Sequence, residues 1–220
     1  MNLTDYEKEM LDNRHGADKK RAMELLVQYG NALGAERLVE TKNVHMLIGF
    51  IPYPSVLDTL DADEMVSKFF LDSNEKILVD HIDIFNTTHI WATDLERGRS
   101  IGAPDKLCQA MEMIRDYAQR KGISLSATCA PYQIGNLPQR GEHCAWTESS
   151  AVPFCNAVLG ARTNTETAHS AFAIALTGRV PLSGFHLDEN RKATYLIDLE
   201  VQVESVFEWN LVGYFAGEQV

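Results

Sequence analysis

The sequence predicts an α/β fold in which a central sheet is flanked by helices, and two observations support this class. Residues 104–128 run from a regular helical pattern into a strand pattern, and a polar loop follows. Helical and strand patterns also succeed one another along most of the remaining chain. In this class, functional sites gather at the carboxyl ends of strands. The thirty residues after position 128 are therefore the predicted site.

Two helices are predicted at the start of the chain. Thr4 and Glu7 have the spacing of a capping box, and Gly16 is the expected stop of this first short helix. A second helix follows, because apolar residues recur at helical spacing up to Gly34, and its apolar face should pack on a sheet. These apolar positions are Met23, Leu26, Val27, Gly30 and Leu33.

Strand patterns dominate the next part of the chain. Residues 37–40 and 44–48 read as short strands, and a helix is predicted over residues 55–70, after two prolines. Residues 76–85 alternate apolar and polar side chains with an imperfect phase, which suggests a further strand.

The clearest helix begins at Pro104 and ends at Gly122, and a strand over residues 123–128 leads to Cys129. The remaining predictions are helices over 149–159, ended by Gly160, and 166–176, and strands over 194–203 and 211–215.

Charge and composition exclude several partners. Twenty Lys plus Arg against 31 Asp plus Glu give a net charge of −11, which opposes binding to nucleic acid or to an anionic membrane. No run of 18 apolar residues and no signal-peptide pattern is found, so we expect a cytoplasmic protein. The four cysteines are then reduced thiols or metal ligands, although their spacing alone is a weak metal signal.

The predicted site contains several chemically useful side chains. Cys129 offers a thiolate, Glu142 or His143 an acid or base, and Ser149 with Ser150 offer hydroxyls at a predicted helix start, where anions bind. Each also has a structural interpretation: a buried small thiol, a loop pair and a helix cap.

A second polar stretch adds Arg179, His186 and Arg191, which we expect to bind substrate. Either arginine could hold a carboxylate or phosphate through a bidentate fork, or could form a salt bridge in a surface turn. The other histidines, His15, His45, His81, His89 and His169, are interpreted as structural.

Several runs of residues together resemble the aconitase X catalytic family. They are Leu3 to Asp5, Gly34 to Val39, Thr128 to Tyr132, Gly135 to Pro138, Gly141 to Ala151, Leu159 to Asn164, Thr177 to Pro181 and His186 to Arg191. The matches span most of the chain, and runs of this length are specific.

The resemblance implies a layered, aconitase-like domain that dehydrates a small anionic hydroxy acid of the cis-3-hydroxy-L-proline or mevalonate 5-phosphate type. It implies an iron centre or iron–sulfur cluster, with Cys129 as one ligand. Asn136, Glu142, His143, Ser149 and Ser150 would line the substrate site. The family's catalytic chains extend well beyond residue 220 and work with a small domain or subunit. Residues 1–220 are therefore expected to be the N-terminal part of the catalytic domain, acting with that partner and forming an oligomer.

Two other interpretations stay open. The chain could be a non-catalytic or regulatory relic that keeps the fold and acts through protein association. It could also be an unrelated metal hydrolase using Glu142, His143 and His186, although no HExxH spacing is present.

Overall fold

A computed structural model describes residues 1–48 and 61–219 of the chain. It divides into two compact units, Met1–Leu187 and Asp188–Val220. The helices of the first unit are α1 (Asp5–Leu11), α2 (Ala17–Ala32), α3 (Ala62–Phe69), α4 (Asp105–Arg120), α5 (Ala151–Pro153) and α6 (Ala168–Thr177). Its strands are β1 (Leu38–Glu40), β2 (Asn43–Met46), β3 (Phe85–Thr88), β4 (Ala145–Trp146) and β5 (Arg179–Pro181).

The mixed α/β class is confirmed, with two small sheets in the first unit. Strands β3, β2 and β4 lie side by side in this order and are all parallel. Strands β1 and β5 form an antiparallel pair. Helix α6 packs on both β2 and α2, and the main hydrophobic core lies among these elements, α3 and α4.

The first two helices follow the prediction with one correction. The capping box of Thr4 and Glu7 is present at the start of α1. The helix ends at Leu11, however, and Gly16 stands before α2 instead of closing α1. The chain already reverses at Asn13, whose φ is +62°. Helix α2 packs on α1, on α6 and on the short strand β5, so its main partners are helices as well as a sheet.

Two predicted strands are irregular because side chains take up their backbone hydrogen bonds. In the predicted strand 76–85, the N–H of Ile77 donates to Ser67 Oγ at 2.8 Å and that of Asp80 to Asp18 Oδ2 at 2.8 Å. Regular pairing starts only at Phe85. The predicted strand 123–128 runs beside β3 in the same way, since the N–H of Ser124 donates to the side chain of Asn86 at 2.8 Å.

The predicted helix 149–159 is interrupted. Helix α5 is followed directly by one π-helical turn, Phe154–Val158, before Gly160 turns the chain with a φ of +69°. Helix α6 corresponds to the prediction for 166–176, and α3 to the end of the prediction for 55–70. Residues 55–60 of that prediction lie outside the described residues.

The second unit corrects two predicted strands. Residues 194–203, all of them described, form no strand, and helix α7 (Val206–Glu218) includes the predicted strand 211–215. A capping box of Ser205 and Glu208 starts this helix, a signal stronger than the short apolar alternation. Within the described ranges, no helix is both long and apolar enough to cross a membrane.

Candidate metal centre

Three potential metal ligands meet at the carboxyl edge of the parallel sheet. His89 directly follows β3, and Glu148 stands two residues after β4. Cys129 ends the irregular segment beside β3, where the N–H of Thr128 donates to the carbonyl of Thr88 at 3.0 Å. Parallel strands end at one edge of a sheet, so the three side chains converge there.

The three ligand atoms lie within 4.8 Å of one another. Cys129 Sγ is 3.5 Å from His89 Nε2, and the same nitrogen contacts a carboxylate oxygen of Glu148. The side chains of His89 and Glu148 are 18% and 17% exposed. Sulfur, imidazole nitrogen and carboxylate oxygen together form a donor set that suits a first-row transition metal.

The electrostatics of Cys129 also fit a cation. Burial, and then the charge of Glu148, raise the pKa of its thiol. A bound cation would reverse this effect, because it stabilises the thiolate and balances the carboxylate.

Of the two predicted serines, Ser149 adjoins this group. Its Oγ lies 3.3 Å from Glu148 Oε1. Ser150 precedes α5, but its side chain makes no capping hydrogen bond there. Both serines are exposed.

Asn136 is fully buried and is linked through Thr87 to His45. Its Nδ2 donates to Thr87 Oγ1 at 2.8 Å, and Thr87 Oγ1 is 3.0 Å from His45 Nδ1. Burial, followed by the neighbouring His89, lowers the pKa of His45 to about 4, against a smaller opposing effect of Glu148. His45 is therefore an uncharged histidine beside the metal-ligand group.

Glu142, His143 and His186 lie at the other end of β4. Glu142 accepts a hydrogen bond from the N–H of Gln139 at 2.8 Å, and His143 Nδ1 is 2.9 Å from His186 Nδ1. Glu142 and His143 line a cavity of about 340 Å³ together with Thr41. The structure thus brings His143 and His186 together but does not bring either of them, or Glu142, to Cys129. Their roles in catalysis or binding stay predictions.

The two predicted arginines have different positions. Arg179 Nε donates to Glu7 Oε1 at 3.0 Å, and Glu7 is 2% exposed, so this guanidinium is engaged in an internal ion pair. Arg191 belongs to the second unit. Substrate binding by either arginine stays a prediction.

All four cysteines are free thiols. Cys144 and Cys155 are buried together in a separate apolar cluster with Trp146. The Cys155 side chain, followed by burial, raises the pKa of Cys144. Cys129 is the one cysteine that meets two other potential ligands within the described ranges.

The sequence reasoning missed His89, Glu148 and His45. The predicted strand ended at residue 85, whereas the observed strand is Phe85–Thr88 and His89 directly follows it. With the strand in its observed place, the rule that sites gather at carboxyl ends would have selected His89. His45 lies on β2, far in sequence from the polar segments in which the site was predicted.

The fold places this chain among the aconitase-like proteins. Residues 1–189 match the family model described as "Aconitase X first domain", and the chain belongs to the aconitase X family. A crystal structure of Thermococcus kodakaraensis aconitase X in its holo form superposes with a TM-score of 0.79 at 31% sequence identity, covering 100% of this chain and 52% of that one.

Two curated relatives are dehydratases. The phosphomevalonate dehydratase large subunit of Methanocaldococcus jannaschii is 36% identical, over 100% of this chain and 53% of its own length. The cis-3-hydroxy-L-proline dehydratase of Pseudomonas aeruginosa is 32% identical, over 98% of this chain and 35% of its own length. The chain thus spans about half the length of the first relative and about a third of the second.

Proposed function

We propose that this chain is the cation-binding first part of a hydro-lyase that removes water from a small anionic hydroxy acid. The observation that carries the proposal is the meeting of His89, Cys129 and Glu148 at the carboxyl edge of the sheet. The relatives' names supply two candidate substrates, mevalonate 5-phosphate and cis-3-hydroxy-L-proline. Membership of the aconitase X family supports the reaction class.

The donor set fits iron, and Cys129, His89 and Glu148 would hold it. Bound iron would supply a Lewis acid for the departing hydroxyl group. Ser149 would keep the Glu148 carboxylate oriented through its contact with Oε1, as second-shell groups do for metal ligands. A cluster needs several thiolates, and Cys144 and Cys155 pack elsewhere. The remaining ligands of a cluster would have to come from residues outside this chain.

Dehydration also needs a base for the carbon-bound proton. Glu142 and His143 are the predicted candidates from the sequence, but Glu148 is the carboxylate that lies in the ligand group. Variants Glu142→Gln and Glu148→Gln separate the two roles. We expect Glu148→Gln to reduce iron binding, and Glu142→Gln to retain iron while reducing turnover in the complete assembly.

Anaerobic loading with iron, with and without sulfide, tests the metal centre. Wild-type protein should bind iron and gain visible absorbance, and Cys129→Ser and His89→Ala should lose both. The matched control is Cys108→Ser, because Cys108 is a buried cysteine on α4 that lies outside the ligand group. Iron uptake by Cys129→Ser equal to that of wild type would refute the proposal.

We further propose that turnover requires a second polypeptide or domain, since the first relative is named a large subunit. The 220 residues alone should turn over neither candidate substrate until the part matching the rest of the relatives is supplied. Sizing chromatography should show a species larger than the 24.6 kDa chain. A monomer that dehydrates either substrate unaided would contradict this expectation. Iron binding without turnover in the complete assembly would favour the alternative that the chain is a non-catalytic relic of the fold.

A further inference from the structure

A buried chain of side-chain hydrogen bonds connects β4, β2 and β3 and ends on His45. Trp146 Nε1 donates to Asn43 Oδ1 at 2.9 Å, and Asn43 Nδ2 donates to Asn136 Oδ1 at 2.6 Å. Asn136 Nδ2 then donates to Thr87 Oγ1 at 2.8 Å, which is 3.0 Å from His45 Nδ1. All five side chains are buried.

The row of hydrogen bonds has a fixed direction, because the indole N–H of Trp146 can only donate. Each amide accepts through its oxygen and donates through its nitrogen, so the direction is carried to Thr87. The Thr87 hydroxyl accepts from Asn136 and retains its own proton, which it can donate to His45 Nδ1 at 3.0 Å. In that arrangement the single proton of a neutral imidazole lies on Nε2.

His45 Nε2 is buried and has no hydrogen-bond partner among residues 1–48 and 61–219. A buried N–H donor without a partner is costly in free energy, so such an atom calls for an explanation. The His45 ring centroid is 6.5 Å from that of His89. The His45 carbonyl also accepts from both the N–H and the hydroxyl of Thr147, the residue before Glu148. His45 is thus hydrogen-bonded to Thr87, two residues before His89, and to Thr147, one residue before Glu148.

We propose that His45 is fixed as the neutral Nε2–H tautomer and donates this hydrogen bond to an oxygen of the hydroxy acid bound at the His89–Cys129–Glu148 group. The identity of the ligand rests on the proposed function, whereas the tautomer does not. A neutral donor suits this place, because it binds an anionic oxygen without adding a charge that would repel the cation.

The tautomer is measured in protein with ¹⁵N-labelled histidine by a long-range ¹H–¹⁵N correlation spectrum at neutral pH, without added metal. His45 should show the Nε2–H pattern, assigned by its absence from the spectrum of His45→Gln. Thr87→Val removes the hydroxyl that fixes the tautomer and should give a mixture of the two forms. An Nδ1–H pattern or a charged ring for His45 in the wild type would overturn the inference.

The contact between His45 and the ligand is tested with two variants, one that lacks a donor at the place of Nε2 and one that can supply it. His45→Asn keeps an amide near Thr87 but has no group at the place of Nε2, whereas His45→Gln can place an N–H there. Calorimetry with iron-loaded protein and each of the two candidate substrates should show binding weakened about tenfold or more for His45→Asn. His45→Gln should stay within a few-fold of wild type.

Equal binding by wild type and His45→Asn, with equal iron content, would overturn the contact. Iron is measured in every sample, so that loss of the cation is distinguished from loss of the hydrogen bond. Wild-type protein that takes up no iron would refute the proposed function instead, and the tautomer would still be read from the same metal-free spectrum.

Discussion

Replacing His45 with glutamine should flatten the dependence of stability on pH between about pH 6.5 and pH 4. Burial, followed by the neighbouring His89, lowers the pKa of His45 from 6.5 to about 4. Between these values the unfolded chain binds a proton at residue 45 and the folded chain does not. The free energy of unfolding therefore falls as the pH falls through this window, and the contribution of His45 is fully retained above it.

The size of the effect follows from the two pKa values. A pKa lowered from 6.5 to about 4 corresponds, at about 1.4 kcal/mol per pKa unit, to about 3 kcal/mol. Wild-type protein should thus lose about 3 kcal/mol more than His45→Gln between pH 7 and pH 4. Losses from other titrating groups are common to both proteins and cancel in the difference.

Urea unfolding in the presence of a chelator, followed by tryptophan fluorescence at several pH values, measures this difference. His81→Gln is the matched control, because the His81 side chain is 56% exposed and its replacement should leave the wild-type curve unchanged. Parallel curves for wild type and His45→Gln would show that the folded protein accommodates a charged His45, and would refute the reasoning.

Three further predictions concern stability. Arg179→Ala leaves the buried Glu7 carboxylate without its counter-charge and should lower the free energy of unfolding by about 3 to 5 kcal/mol. The control Lys8→Ala removes an exposed ion pair and should change it by less than about 1 kcal/mol. Urea unfolding compares the two variants. Burial raises the pKa of Glu166, so keeping its carboxylate charged at pH 7 costs stability, and Glu166→Gln should raise the melting temperature there. The gain should disappear as the pH falls below the ordinary pKa of the carboxyl, 4.5. Gly122→Ala should destabilise the protein, because φ is +74° and the added Cβ would lie 2.7 Å from the carbonyl oxygen of Ile82. The control Gly213→Ala has open space around it in α7 and should raise stability by about 0.5 to 1 kcal/mol. Unchanged melting temperatures in Arg179→Ala or Gly122→Ala would contradict the contacts on which these predictions depend.

The sequence predicted those elements whose signal is local. The capping box of Thr4 and Glu7 and the apolar pattern of α4 depend on residues a few positions apart, and both are present. The strand pattern at 76–85 was misleading because Val79 and Ile82 are buried in the core without joining a ladder. Alternation reports which side chains are buried, but strand pairing depends on partners that are distant in sequence.

The candidate site was predicted in part for the same reason. The sequence analysis selected Cys129 as the end of an extended segment, and the structure places it beside His89 and Glu148, which lie 40 and 19 positions away in sequence. Glu142 and His143 are nearer to Glu148 in sequence, yet β4 separates them from it. Proximity in sequence was therefore a poor guide, because a strand carries its two ends to opposite edges of the sheet.

The buried side-chain hydrogen bonds that end on His45 also affect the order in which the protein folds. Its hydrogen bonds join residues 42 to 103 positions apart, and contacts of such separation form slowly. A half-formed buried network is unfavourable, so its members should lock together in one cooperative step. Two strands of this network, β3 and β4, also position His89 and Glu148, so the cation can bind in full only after this late step. Cation binding would then protect the finished fold against unfolding and would not guide the early chain toward it.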